Sequence, residues 1–336
     1  MSGSRILAGD IGGTKTLLCL GEVVRGDLRV VAKARYESAS YADFSEVIGD
    51  FLSTREVSVI AACFGVAGAV VDGVCRTTNL PWVLDQRLLS RQLGGARVRL
   101  LNDLEAAAFG VLHLPEGDFT DLNPGAPPRS RAPRAVIAAG TGLGEALIVG
   151  HGAAATIVAT EGGHCDFAPR DEREDRLLRW LRRKYPQHVS YERVLSGPGL
   201  VEVYRFLVED SGGGENERLA AAMARGDGAA VVGEWGVSGR DPLCVRALDW
   251  FVRMYGAEAG NLVLKSLATG GLYVAGGIAP KILPVMRRGG FMDGFAAKGR
   301  FSALLQSVPV RVVLNPEVVL LGALHWAGER MCGVEE

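Results

Sequence analysis

The first third of the chain alternates two kinds of hydrophobic pattern. RILAGDI (5–11) and TLLCLGEVV (16–24) are short, almost unbroken apolar runs, and RVVAKARYE (29–37) mixes apolar with charged positions. All three read as strands, with a glycine turn between the first two. DFSEVIGDFLSTRE (43–56) repeats its apolar residues at helical spacing. VSVIAACFGVAG (57–68) and RVRLLND (97–103) return to the strand pattern, and LEAAAFGVL (104–112) to the helical one. Strands alternating with helices argue an α/β sheet with a parallel portion. PEGDFTDLNPGAPPRSRAPR (115–134), dense in Pro, Gly and Arg, predicts a long surface loop near a domain boundary. AVIAAGTGLGEALIVG (135–150) then repeats the opening layout of strand, glycine turn and strand. Beyond it lie helix-rich stretches, LYVAGGIAPKILPVMRRGG (272–290) as strand, Gly-Gly turn and helix, and a terminal helix in NPEVVLLGALHWAGERM (315–331).

Composition narrows the function classes. A chain of 336 residues, 48% hydrophobic and 22% charged, is an ordinary well-cored globular protein of about two domains. A net charge of −1 gives no electrostatic reason to expect nucleic acid or an anionic membrane as partner. No apolar run is long enough to span a bilayer, and MSGSRIL lacks the apolar core of a signal peptide. The six cysteines contain no C-x-x-C pair, and they predict reduced, mostly buried thiols in a cytoplasmic protein.

Four glycine turns follow short apolar strands: GDIGGTK (9–15), FGVAGA (64–69), GTGLG (140–144) and AGGI (275–278). Glycines let backbone amides converge on an anion without side chains in the way. GDIGGTKT resembles a P-loop with Thr14 where glycine belongs, but a strand follows its lysine where a P-loop needs a helix. Each turn alone is an ordinary tight hairpin. Two similar hairpins in one chain could grip a triphosphate from both sides.

Asp10, at the end of the first strand, is either a turn-favouring residue or a carboxylate that holds Mg²⁺ through water. Asp103 opens a helix, so an N-cap is its plain reading, yet Asn102 precedes it and only one of the two can be the cap. EGGHCDFAP gathers Glu161, His164, Cys165 and Asp166, with too few thiols and imidazoles for a zinc site. His188 and Glu192, four apart, could share a helix face. Together the Asn, Asp, Glu and His residues offer donors and acceptors for a polyol. DEREDRLLRWLRRK is acidic first and basic last, as the helix macrodipole favours, and reads as a solvated helix.

GDIGGTKT, TNLPW, LLNDLEAAAFGV, GTGLG, EGGHCDFAP, YERVLSGPGL and VAGGIAPK occur in this order. With them the chain resembles bacterial glucokinases of the hexokinase–actin–Hsp70 superfamily, from Arg5 to the terminal helix. The resemblance implies an α/β, two-domain actin/hexokinase-like (ribonuclease H-like) fold with a cleft between the domains. The phosphate loop is then a β-hairpin, which accounts for the strand after GGTK. The domains are expected at 1–113 plus 315–336, with the first phosphate hairpin, and at 114–314, with the second hairpin and the adenosine turn.

The implied activity is ATP-dependent conversion of glucose to glucose 6-phosphate, the entry to glycolysis, with Asp103 as general base. Asn102, Glu161, His164 and Glu192 match sugar-binding positions. Gly9, Asp10, Ile11, Gly12, Gly13 and Thr14 match the first ATP-binding hairpin, Thr141 and Gly142 the second, and Gly276 and Gly277 the adenosine turn. Asp10 matches the aspartate near Mg²⁺. Lys15 stands where many glucokinases carry asparagine, and FGVAG lacks the proline common in relatives. The cysteine-rich zinc motif of the related repressor–kinase group is missing from the sequence. The expected partners are glucose and a second copy of the chain in a homodimer. Rival readings are a kinase of fructose, mannose or N-acetylmannosamine, and a sugar-responsive regulator. The regulator is disfavoured by the neutral charge and by a first strand beginning at Arg5, without room for a helix-turn-helix.

Overall fold

The computed structural model describes residues 4–333 apart from residues 26, 56, 78, 79, 128 and 130. Two compact units divide the chain: Met1–Asp118, Ile148–Ala159 and Asn315–Glu336 form the first, Phe119–Leu147 and Thr160–Leu314 the second.

In the first unit, strands Ser4–Ile11, Lys15–Val24 and Asp27–Glu37 form an antiparallel meander. Ser4–Ile11 also pairs in parallel with Val59–Val66, which in turn pairs in parallel with Arg97–Asn102. Numbered along the chain, the described strands lie in the order third, second, first, fourth, fifth. The unbroken apolar runs follow from burial on both faces, since successive side chains on a strand point to opposite sides. Leu7, Ile11 and Phe64 pack with the helix Phe44–Leu52 on one side. Ile6, Ala8 and Cys63 pack with the terminal helix Val318–Cys332 on the other.

That terminal helix lies against the helix Asp103–Val111 almost backbone to backbone. A Cβ at Gly110 would overlap the Val318 carbonyl oxygen, and one at Gly322 would overlap that of Ala106. After the turn at FGVAG comes a small antiparallel sheet of Val70–Val71, Val74–Arg76 and Val83–Asp85. Thr78 and Asn79 of the TNLPW motif lie outside the described residues.

The second sheet runs Thr156–Thr160, Leu143–Val149, Arg134–Ala139, Gly271–Ala275, Val310–Val313, Phe119–Asp121. Its first five strands repeat the order of the first sheet, so the resemblance of the two hairpins in sequence extends to the whole sheet. The sixth strand is a correction. Residues 119–121 were expected in a loop, but they pair antiparallel with Val310–Val313, where Asp121 meets Arg311 at 3.1 Å. The Arg311 guanidinium also covers the Phe119 ring at 4.4 Å. Three residues are too few to show a period, and the pairing depends on a strand nearly 200 positions away. The 25-residue helix Pro242–Ser266 forms the centre of this unit's core, with Phe251, Tyr255 and Ala259 fully buried.

Among the described residues, no helix is long and apolar enough to cross a membrane. Cys19, Cys63, Cys75 and Cys244 are buried thiols, Cys332 is half-buried, and Cys165 is exposed.

Candidate functional site

In the first unit, Gly9, Asp10 and Ile11 end the first strand and Lys15 begins the second. Gly12, Gly13 and Thr14 form the turn, in which the Gly12 amide donates to the Lys15 carbonyl at 3.0 Å. Gly9 is buried because the strand has no room there: a Cβ would stand 2.9 Å from both Leu18 and Phe64 side chains. Asp10 follows, its carboxyl pushed up to about 6 by burial and by the nearby Asp103, against the lowering effect of Lys15. Asp10 and Asp103 thus share one electrostatic environment, although the sequence separates them by more than ninety positions.

Asn102 is the N-cap of the helix Asp103–Val111. Its Oδ1 accepts the Leu104 amide proton at 2.8 Å and its Nδ2 donates to the Gly68 carbonyl at 3.2 Å. The Gly68 contact ties the FGVAG turn to the LLND motif. Asp103 occupies the first helical position, where the macrodipole favours a carboxylate, and its Oδ1 shares the Leu104 amide at 2.9 Å. The capping role considered for Asp103 therefore falls to its neighbour.

In the second unit, Glu192 joins the second hairpin to the EGGH segment. Its Oε2 accepts the Leu143 amide at 3.0 Å and stands 4.0 Å from His164 Nε2. A Cβ at Gly142 would come within 2.5 Å of that same oxygen, so a side chain there would displace the Glu192 carboxylate. Glu161 precedes the 3₁₀ turn Gly162–His164, and its carbonyl accepts the His164 amide at 3.0 Å. The side chains of Glu161 and His164 are both exposed.

A cavity of about 1420 Å³ opens beside the second hairpin, lined among others by Gly140, Thr141, Gly197, Gly277, Ile278 and Lys281. Gly276, at φ +84°, turns the chain out of the strand Gly271–Ala275 against the Ala139 carbonyl, a conformation that glycine adopts without strain. The structure therefore brings Thr141 and Gly277 to the lining of one cavity, and Glu192 and His164 together beside the hairpin.

His188 and Glu192 share no helix face. Glu192 lies in the 3₁₀ turn Tyr191–Arg193, and His188 pairs with Asp166 at 3.1 Å in an extended segment that bridges Asp166 to Ser190. Among the described residues, the group with metal-ligand proximity is His113, His325 and Glu329, in the first unit. Its two imidazoles stack with centroids 4.1 Å apart and planes 7° from parallel. Their lone pairs thus run side by side and do not converge on one point, which is poor geometry for a shared ion. Burial and the neighbouring His325 push His113 down to about 4, so the His113 imidazole is neutral near pH 7.

Sequence reasoning missed a buried polar network under the EGGH turn. Glu145, on the second hairpin's outgoing strand, and Glu258, on the central helix, are both buried. Burial and the charge of Glu258 push Glu145 up to about 7. Asn261 donates to Glu258 at 2.7 Å and to the Tyr191 hydroxyl at 3.1 Å, next to Glu192 in sequence. A glutamate inside an otherwise apolar strand run was the one available signal.

A sequence profile for the family described as Glucokinase matches residues 7–330. A glucokinase of Nostoc punctiforme is 40% identical over 332 residues, covering 95% of this chain and 97% of its own. One from Synechocystis is 41% identical over 351 residues, covering 97% and 99%. Among solved structures, a glucokinase from an Antarctic psychrotroph superposes with a TM-score of 0.83 at 27% identity, covering 96% of this chain and 98% of that one.

Proposed function

The chain belongs to the glucokinase family and is a sugar kinase, and from that premise we propose that it transfers the γ-phosphoryl group of ATP to the primary hydroxyl of glucose. The hydroxyl oxygen bonds to the γ-phosphorus while the bridging bond to the β-phosphate breaks, and that electron pair leaves with ADP. Asp103 takes the hydroxyl proton as general base. The observation that carries this role is the capping of the helix by Asn102, which makes a carboxylate at 103 dispensable for starting the helix.

The remaining roles follow the chemistry of each unit. In the first, the glycines of residues 9–14 present backbone amides to the phosphates, and Asn102 bonds a sugar hydroxyl. In the second, Glu161, His164 and Glu192 supply further acceptors and donors for glucose. Thr141 and Gly142 contact phosphate, Gly277 borders the cavity that suits the adenosine, and Gly276 makes the turn that leads the chain to it. Asp10 fits a water-mediated hold on Mg²⁺, since burial beside Asp103 gives two carboxylates that a cation would stabilise together. When bound, Mg²⁺ supplies neutralisation of the phosphate charge. The reading carries with it a cytoplasmic homodimer, and sedimentation of the purified chain checks the dimer.

The deciding experiment is a panel of glucose, fructose, mannose and N-acetylmannosamine with ATP, ADP and polyphosphate, read by coupled product detection. Glucose 6-phosphate formed from ATP at the highest kcat/KM is the expected result. A higher kcat/KM for another hexose would make the chain a kinase of that sugar.

A further inference from the structure

The third strand stops at Glu37 and the chain turns into the 3₁₀ segment Ser38–Ser40. Ser38 is fully buried, although serine on a connection is ordinarily exposed. Three bonds hold it against the first hairpin, more than twenty positions earlier in the chain. Its amide donates to the Thr14 carbonyl at 3.1 Å, its hydroxyl donates to the Gly12 carbonyl at 2.9 Å, and its Oγ lies 3.0 Å from the Thr16 hydroxyl. A serine hydroxyl has one proton. With that proton on Gly12, Thr16 is the donor to Ser38, and the chain of bonds runs Thr16 to Ser38 to Gly12.

These bonds decide which way the turn faces. The peptides here are trans, and in a planar trans peptide the carbonyl and the following N–H point in opposite directions. Drawing the Gly12 carbonyl toward Ser38 aims the Gly13 amide away from it. Drawing in the Thr14 carbonyl does the same for the Lys15 amide. Gly13 has no side chain to screen its own amide. We infer that Ser38 is a positioning residue of the phosphate hairpin, which holds the carbonyls of Gly12 and Thr14 so that the turn's amides are set toward an anion before it binds. The inference rests on the reading of this hairpin as a phosphate site. Pre-set donors cost no reorganisation when the phosphate arrives, so losing the hold should act on the phosphoryl donor and on turnover, with little effect on the sugar.

The test compares Ser38→Ala, Thr16→Ser and Thr16→Val in the full chain, with MgATP and glucose each varied and melting temperature recorded. Thr16→Ser retains the donor and should behave as the parent. Ser38→Ala is expected to raise the KM for MgATP or lower kcat so that kcat/KM for MgATP falls about tenfold or more, the equivalent of ~1.4 kcal/mol, while the KM for glucose stays within about twofold. A folded Ser38→Ala chain with kcat and the KM for MgATP both within about twofold of the parent would overturn the inference, as would a KM for glucose raised as much as the KM for MgATP. If Ser38→Ala does not fold, Thr16→Val decides, because it keeps the Ser38–Gly12 bond and removes only its support. A loss of about threefold in kcat/KM for MgATP with an unchanged KM for glucose is expected there, and unchanged MgATP kinetics would overturn the role. The parent chain tests the underlying reading separately. Should it use polyphosphate and not ATP, the assignment of ATP fails, and the same comparison is made with polyphosphate, whose oxygens the hairpin would hold in the same way.

Discussion

Asn102 and Asp103 divide two tasks that either residue type could perform: Asn102 Oδ1 accepts the Leu104 amide at 2.8 Å as N-cap, and Asp103 begins the helix. Asparagine at 103 would keep the shape and could still accept the Leu104 amide. For Asp103→Asn we expect an unchanged melting temperature and retained glucose binding, with turnover reduced by about 10²–10⁴-fold. The loss should sit toward the lower end, because phosphoryl transfer tolerates late proton removal. Asn102→Ala should do the reverse to the fold, with a cost of about 1 kcal/mol for the lost cap. Steady-state kinetics beside calorimetry on the two variants separates them, and turnover of Asp103→Asn within a few-fold of the parent would remove it as the base.

Glu192 links the Leu143 amide to His164, so the sugar set should respond as a group. His164→Ala and Glu161→Ala are each expected to weaken glucose by about 1–3 kcal/mol, as buried hydroxyls lose partners. Gly142→Ala should imitate a Glu192 defect without touching Glu192, since its methyl would contest the Oε2 position. Isothermal titration with glucose provides the measurement, and parent affinity in both His164→Ala and Glu161→Ala would refute the assignment.

Glu145 predicts a pH dependence. Its carboxyl is held at about 7 in the folded protein against an ordinary 4.5. The folded state therefore favours the protonated form. The associated stability is complete below about pH 4.5 and is lost as pH rises through 7, to a total of about 3 kcal/mol. Glu145→Gln removes that titration, so the difference in melting temperature between parent and variant should change in the variant's favour from pH 5 to pH 8. A constant difference across that range would show that Glu145 does not titrate there.

Chelation should abolish activity and Mg²⁺ or Mn²⁺ restore it, with Asp10→Asn requiring more metal for half-maximal rate. Elemental analysis of the purified chain is expected to find no stoichiometric zinc. One tightly held zinc per chain would revive the repressor–kinase reading for the EGGH segment, or contradict the argument from stacked rings at His113 and His325.

Much of this architecture was legible because the signals were local. Unbroken apolar runs located the strands that are buried on both faces, and Asp43 before Phe44 marks a helix whose first turn it caps through the Glu46 amide. The two hairpins were visible as repeats because each is an apolar strand, a three-residue turn with two glycines, and a second apolar strand. What escaped was non-local. Phe119–Asp121 is a strand only because Val310–Val313 lies beside it. His188 and Glu192 have helical spacing, but Ser190 bridges to Asp166 in an extended segment, so His188 lies outside the 3₁₀ turn Tyr191–Arg193 that holds Glu192. Ser38 reads as one more serine in SASYAD, and only its hydrogen bonds to the hairpin distinguish it.

Between the helices Asp103–Val111 and Val318–Cys332 there is no layer of side chains at Gly110 and Gly322. Side chains absorb small displacements by changing rotamer, and backbone cannot. A methyl at either position would meet backbone that no rotamer change can move, and would force the terminal helix off the helix that begins at Asp103.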